Sequence, residues 1–164
     1  MTSMTSQITL RHTHADDRAF MFTVFTATRA ERFNGAALAP PQLQHLLEMQ
    51  FNAQQSQYRA QFPGANFSLV LSDDKPIGYF YVDRSGKRFT LIDIALLPEL
   101  TGKGVGSQLV TALIKEALEK GKTISAHVDK CNNQAWQLWQ RLGFQIVGDD
   151  GVYFEIEYRP DENL

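Results

Sequence analysis

The sequence predicts a mixed α/β sandwich, one sheet flanked by helices, in the order β-α-α-β-β-β-α-β-α-β-β. Three observations carry this expectation. Two stripes of helical spacing come early, three short apolar runs then succeed one another through turn residues, and a late strand passes through a glycine-rich loop into a third helical stripe. Consecutive strands with no helix between them exclude a doubly wound parallel sheet, in which each strand is followed by a crossover helix. The 164 residues suffice for one domain with a hydrophobic core, and no repeat, linker or low-complexity segment divides 1–164.

Ile8, Thr9, Leu10 and Arg11 read as a first short strand. Asp16 or Asp17 is placed to cap a helix running to about Thr28, with Phe20, Val24 and Phe25 on one side. Pro40 and Pro41 open a second helix to about Arg59, with Leu43, Leu46, Leu47, Gln50, Phe51 and Gln54 at helical spacing. Strands over 67–71 and 77–82 are joined by the turn 72–76, and the segment 84–87 leads into a strand over 89–97. Val105, Leu109, Leu113 and Ala117 recur every four residues, widened by Val110, Ile114 and Leu118, and Gly121 ends this third helix beside Lys120 and Lys122. A strand over 123–128, a short helix over 133–142 stopped by Gly143, and a hairpin of 145–148 with 152–158 complete the chain.

Eighteen acidic against sixteen basic residues give a formal net charge of −2, so there is no electrostatic case for nucleic-acid binding. No apolar run approaches a membrane span, and the polar residues 1–7 lack the basic-then-apolar pattern of a secretory leader. A single cysteine, Cys131, excludes an internal disulfide and suits a cytoplasmic protein. No base partner for it is evident, which favours a structural role over a nucleophilic one. His12 and His14 are metal-ligand types without an accompanying cluster, so no metal is expected.

The joint between the strand at 89–97 and the third helix reads Leu96-Leu97-Pro98-Glu99-Leu100-Thr101-Gly102-Lys103-Gly104-Val105-Gly106. Glycine permits close approach to the main chain and opens backbone angles closed to other residues. The first amides of a helix lack internal acceptors and carry partial positive charge. The joint is therefore either a cradle for a phosphate group or a tight turn with nothing bound. Lys103 is followed by Gly104, not a hydroxyl residue, so it is not a Walker loop. The Gly-x-Gly-x-Gly spacing is not the dinucleotide fingerprint either.

These residues resemble another pattern, the Gln/Arg-x-x-Gly-x-Gly/Ala loop of the GNAT N-acetyltransferase family, which holds the pyrophosphate of acyl-coenzyme A. Downstream, Asn132-Asn133-Gln134-Ala135 followed by Leu138-Trp139-Gln140-Arg141-Leu142-Gly143-Phe144 is similar to the family's Asn-x-x-Ala and Tyr-x-x-x-Gly-Phe segments, in the same order. The resemblance spans about 8–158, with its specific motifs inside a core of 89–144. It implies a GNAT-like sandwich in which the strands ending near Leu97 and Val128 splay apart around the cofactor. Backbone groups of Ile94, Ala95 and Leu96 would hold the pantetheine arm, and amides of Thr101, Gly102, Lys103, Gly104, Val105, Gly106 and Ser107 the pyrophosphate. Asn132, Ala135 and Trp139 would complete the cofactor side. The acceptor implied is a small-molecule or peptide amine, with acetyl-coenzyme A as cofactor; the resemblance leaves the oligomeric state open, a homodimer included.

Two departures from the family pattern matter. Thr101 stands where a long polar side chain is usual, which removes a side-chain contact but no amide. Trp139 stands where many members carry a tyrosine that protonates the departing thiolate, and an indole N–H has no useful acidity. Protonation by water, a packing role for Trp139, and a binding module without fast turnover are the readings this leaves. Amine attack needs a proton acceptor. Asp93, the only charge in the run Leu91-Ile92-Asp93-Ile94-Ala95-Leu96-Leu97, is the candidate, either to accept that proton or to hold a cationic amine, against a carboxylate that faces a polar sheet edge or pairs with a neighbouring Arg or Lys. His127, at the end of the opposing strand, is a second acid–base candidate against a merely accommodated strand histidine. On the acceptor side stand Arg29, Glu31 and Arg32 between the first two helices, for which a solvated loop is the default reading, and Tyr79 and Tyr81 on one strand face, which a packed sheet explains as well; Tyr153 in the closing hairpin joins them and is also a candidate for the missing hydroxyl.

Overall fold

The computed structural model describes residues 7–29, 39–130 and 132–159. Its elements are β1 (Ile8–His12), α1 (Arg18–Arg29), α2 (Pro40–Gln61), β2 (Asn66–Ser72), β3 (Lys75–Asp83), β4 (Phe89–Leu96), α3 (Val105–Lys120), β5 (Ile124–Asp129), α4 (Asn133–Arg141), β6 (Gln145–Asp149) and β7 (Tyr153–Tyr158). The strands form one sheet in the order β1-β2-β3-β4-β5-β7-β6. Every pairing is antiparallel except β4 with β5. The order and class agree with the sequence, and each end falls within two residues of its expected place.

Local chemistry explains the boundaries. The β2–β3 hairpin turns on Asp73 and Asp74, whose φ of 48° and 70° suit the tight turn that matches strand twist. Gly121 closes α3 in the left-handed region at φ 65°, its N–H returning to the Leu118 carbonyl at 3.2 Å. Asn132 caps α4 by accepting the Ala135 N–H at 3.1 Å. Asp17 does not cap α1 directly. It sits in a 3-10 turn (Ala15–Asp17), accepts the His14 N–H at 2.7 Å and pairs with Arg11 at 2.9 Å, which holds its carboxyl down at about 2.

Two apolar layers enclose the sheet. Met21, Val24 and Phe25 of α1 and Leu47 and Phe51 of α2 pack on Phe67, Leu69, Tyr79 and Tyr81 of one face. Leu109, Val110, Leu113, Ile114 and Ala117 of α3, with Trp139 of α4, pack on Val70, Phe80, Val82, Phe89, Leu91 and Ile156 of the other. Strand alternation alone would put Leu91 and Asp93 on the same face. They are separated by a bulge: Tyr81 lies opposite Asp93 and Val82 opposite Leu91, which leaves Ile92 as the extra residue. Leu91 thus packs under α3, while Asp93 turns to the face covered by α1 and α2.

Candidate active site

The parallel ladder between β4 and β5 contains only three pairs, Phe89 with Ile124, Thr90 with Ser125 and Leu91 with Ala126. Past Leu91, β4 continues against β3 alone, while β5 continues against β7 to Asp129. The two strands therefore part, and the β5-facing backbone of 92–96 has no strand partner among the described residues. An uncovered row of amide and carbonyl groups is a template for another extended chain.

The joint after β4 leads to the same opening. Gly102 and Gly104 have φ of 78° and 83°, a region side chains resist, and a Cβ built at either would meet nothing within 4 Å. Glycine is needed there for backbone angle, and the space beyond it is open. Gln108 N–H bonds the Gly104 carbonyl at 2.9 Å, so α3 begins immediately, and the amides of Val105, Gly106 and Ser107 lack acceptors within the helix. A Cβ at Gly106 would sit 3.8 Å from Leu138 and 3.9 Å from Leu96, which ties the helix start to α4 and β4. Thr101 donates its hydroxyl to the Pro98 carbonyl at 2.7 Å, and Lys103 is exposed beside the cradle. Free main-chain groups along a strand edge, ending at an anion-attracting helix start, fit a coenzyme with a linear amide arm and a pyrophosphate.

Asp93 stands at the parting. The Tyr58 hydroxyl of α2 donates to its Oδ2 at 3.4 Å. Burial raises the carboxyl above the usual carboxylate range, opposed by the Arg29 guanidinium, the Tyr58 hydroxyl and the Ile94 N–H. Tyr79 and Tyr81 are wholly buried on the same face, ring centroids 5.0 Å apart. Burial, then the Asp93 charge, push Tyr58, Tyr79 and Tyr81 above ordinary phenol values, so all three stay protonated. Tyr81 donates to Gln55 Oε1 at 2.9 Å, whereas the buried Tyr79 hydroxyl has no partner among the described residues.

A family model described as "Acetyltransferase (GNAT) family" matches residues 31–144. The chain belongs to the GNAT acetyltransferase family. Its members use acetyl-coenzyme A, which agrees with the strand gap and the glycine cradle. Solved structures share the fold at low identity. PaiA N-acetyltransferase from Thermoplasma acidophilum, in complex with coenzyme A, is 18% identical with a TM-score of 0.71, covering 93% of this chain and 99% of that one. An acetyltransferase from Thermus thermophilus is 19% identical with a TM-score of 0.68, covering 93% and 96%. The ribosomal-protein-S18-alanine N-acetyltransferase from Escherichia coli is 18% identical with a TM-score of 0.61, covering 93% and 94%. No curated protein sequence matches the chain.

Within this GNAT fold the remaining candidates separate. Ile94, Ala95 and Leu96 lie on the open length of β4. Asn132 is an exposed cap with Ala135 one turn on, and its side-chain oxygen is already engaged. Trp139 does not line the gap openly: it is 5% exposed and packs edge-on against Phe144 at 5.4 Å. His127 is exposed opposite Glu155 on β7, and no hydrogen bond or ion pair joins it to Asp93. Arg29 stacks over the Phe25 ring at 3.8 Å, and its charge reaches Asp93. Tyr153 is 41% exposed at the start of β7 and lies within electrostatic range of Tyr58. Glu31, Arg32 and Cys131 lie outside the described residues. No metal-holding group of His, Cys, Asp or Glu occurs among the described residues, and no helix there is long and apolar enough to cross a membrane.

Sequence reasoning missed Tyr58 and Gln55. Both prolong the buried stripe of Leu47 and Phe51 at helical spacing, and a polar-tipped aromatic ending such a stripe was the available signal. A shallow depression of about 420 Å³, lined by Lys87, Arg88, Thr90, Thr123 and Glu157, lies at the paired end of β4 and β5, away from the parting.

Proposed function

We propose that the chain is a cytoplasmic, single-domain N-acetyltransferase that moves acetyl from acetyl-coenzyme A to a primary amine by direct attack in a ternary complex. The observation that carries this reading is the parting of β4 from β5 after Leu91, directly beside the glycine-lined start of α3. In it, the β4 backbone at Ile94, Ala95 and Leu96 holds the pantetheine arm, and the amides of 101–107 hold the pyrophosphate. Bound acetyl-coenzyme A supplies an activated thioester carbonyl. Asp93 accepts a proton from the acceptor nitrogen, a role helped by a carboxyl whose affinity for protons burial has raised. Arg29, Tyr79, Tyr81 and Tyr153 surround the acceptor side, Tyr81 as support, since its hydroxyl already serves Gln55. Fixing both reactants in one cleft supplies much of the rate.

A second reading, a module that binds acyl-coenzyme A without turnover, draws on Trp139, whose indole is a core group and no acid. Calorimetric titration with coenzyme A tests both, and absence of binding at millimolar cofactor rules both out. Thiol release over a panel of amino acids, polyamines and peptide amines separates them: turnover with any member supports the enzyme, and none supports the module.

A further inference from the structure

The two faces of the sheet differ at the junction of β4 and β5. Under α3 one apolar layer runs across it: Phe89 and Leu91 of β4 share a cluster with Ile124 and Ala126 of β5 and Ile156 of β7. On the other face the layer beneath α1 and α2 draws on β2, β3 and β4 and, among the described residues, takes none from β5, β6 or β7. That face carries a polar row instead. Asp83 lies opposite Thr90, Thr90 opposite Ser125, and Ser125 opposite Glu157, one residue from each of β3, β4, β5 and β7.

Glu157 is 9% exposed, and each of its carboxylate oxygens meets an arginine. Arg88 Nη1 donates to Oε1 at 3.1 Å and Arg159 Nε to Oε2 at 2.7 Å. Arg159 lies two residues further along the same chain, whereas Arg88 stands immediately before β4 and reaches over β5 to the Glu157 of β7. Lys122, just before β5, donates to the carbonyl of Gly86, in the turn that leads to β4, at 3.0 Å. Among the described residues these two side-chain hydrogen bonds, from Arg88 and from Lys122, are the ones that join the chain before α3 to the chain after it. Exposed ion pairs contribute little. A carboxylate this buried is different, because removing one partner leaves charge uncompensated.

The place of this tie gives it leverage. Arg88 is about 10 Å along an extended strand from Leu91, where the β4–β5 ladder ends. The opening at 92–96 lies beyond, so the angle at which β4 leaves β5 depends on the end where Arg88 holds Glu157.

We infer that Arg88 and Glu157 are a positioning pair, whose bond across β5 sets how far β4 and β5 part after Leu91 and so the width of the opening. The pair sits at the closed end and acts through the strands, not by touching a ligand. The inference rests on the acetyltransferase reading only in naming coenzyme A as the occupant of the opening.

The test has two readouts on the full chain. The first, without ligand, is hydrogen exchange at the Phe89 amide, which donates to the Thr123 carbonyl at 2.8 Å, each rate taken relative to that of the unstructured sequence. Exchange should quicken about tenfold in Arg88→Met and in Glu157→Gln, the effect of one hydrogen bond to a charged group, while β2–β3 amides keep their rates. The second is calorimetric titration with coenzyme A. Affinity should fall about threefold to tenfold in either variant, by no larger factor in the double variant, and should return in Arg88→Lys. Arg11→Met, which removes the 2.9 Å pair with Asp17 beside β1, should bind coenzyme A as the native chain does. Native Phe89 exchange in both variants, or native coenzyme A affinity beside faster exchange, overturns the positioning pair. So does an equal loss of affinity in Arg11→Met, or losses that add in the double variant. Absence of coenzyme A binding by the native chain sinks the acetyltransferase reading, and the Phe89 rates alone then decide the tie.

Discussion

At Asp93, burial and hydrogen bonding act in opposite directions, and burial is the larger. Its folded-state affinity for protons therefore exceeds that of the unfolded chain. The stability it contributes is fully present below the unfolded carboxylate value and is lost as pH rises through the raised folded value. Asp93→Asn should thus melt higher than the native chain at neutral pH, with the difference vanishing below the ordinary carboxylate range, as a pH series of thermal scans would record. The same substitution should lower kcat about a hundredfold or more while coenzyme A affinity holds. Its acid limb in the pH–rate profile should disappear, and an unchanged profile would remove Asp93 from the proton path. The charge was legible in the sequence as the only one in an apolar strand. Its partner Tyr58 was marked only as a polar-tipped aromatic ending a helical stripe, which reads as core until its hydroxyl is placed.

Elements were legible to within two residues because periodicity, caps and turn residues agree with one another at each boundary. The β4 bulge was not, since an extra residue in an apolar run leaves composition unchanged while reversing which face each later side chain meets. That reversal decides whether Asp93 meets Tyr58 or the α3 core. Gly78 holds the adjoining ladder tightly: a Cβ there would fall 2.2 Å from the Ala95 carbonyl oxygen. Gly78→Ala must push β3 and β4 apart, and a loss of about 2–3 kcal/mol in denaturant unfolding is expected. At the other end of β4, Gly104→Glu brings a side chain and negative charge to a left-handed helix start. Coenzyme A affinity by calorimetry should fall at least tenfold there, and normal affinity would remove the cradle from the site.

For the molecule as a whole, both motifs that resemble the family's lie within 89–144, and in the proposed function these segments, the parting strands and the α3–α4 side, form the donor site. The proposed acceptor side draws on α1, α2, β3 and β7, whose residues are far apart in sequence and follow no fixed spacing. Their association is a product of the sheet order, which brings β7 beside β5, and of α1 and α2 lying across one face. Hence Tyr79 and Tyr153 could be named from the sequence only as separate aromatics. The relation of Tyr79 to Asp93 and Tyr58, and of Tyr153 to Tyr58, emerged from the fold.

The short β4–β5 ladder has a mechanical consequence. Three residue pairs join a four-stranded piece, β1 to β4, to a three-stranded piece, β5, β7 and β6. The protein is in this sense two half-sheets on a short hinge, and a coenzyme lying along the open edge would serve as a brace between them. Bracing should appear as linkage: coenzyme A at a hundred times its Kd should add about 2.7 kcal/mol to unfolding. Hydrogen exchange should slow on both flanks of the gap together, in 92–96 and in 127–129, although only one flank need touch the ligand. Slowing confined to β4 would mean the halves are already rigidly joined through their helices.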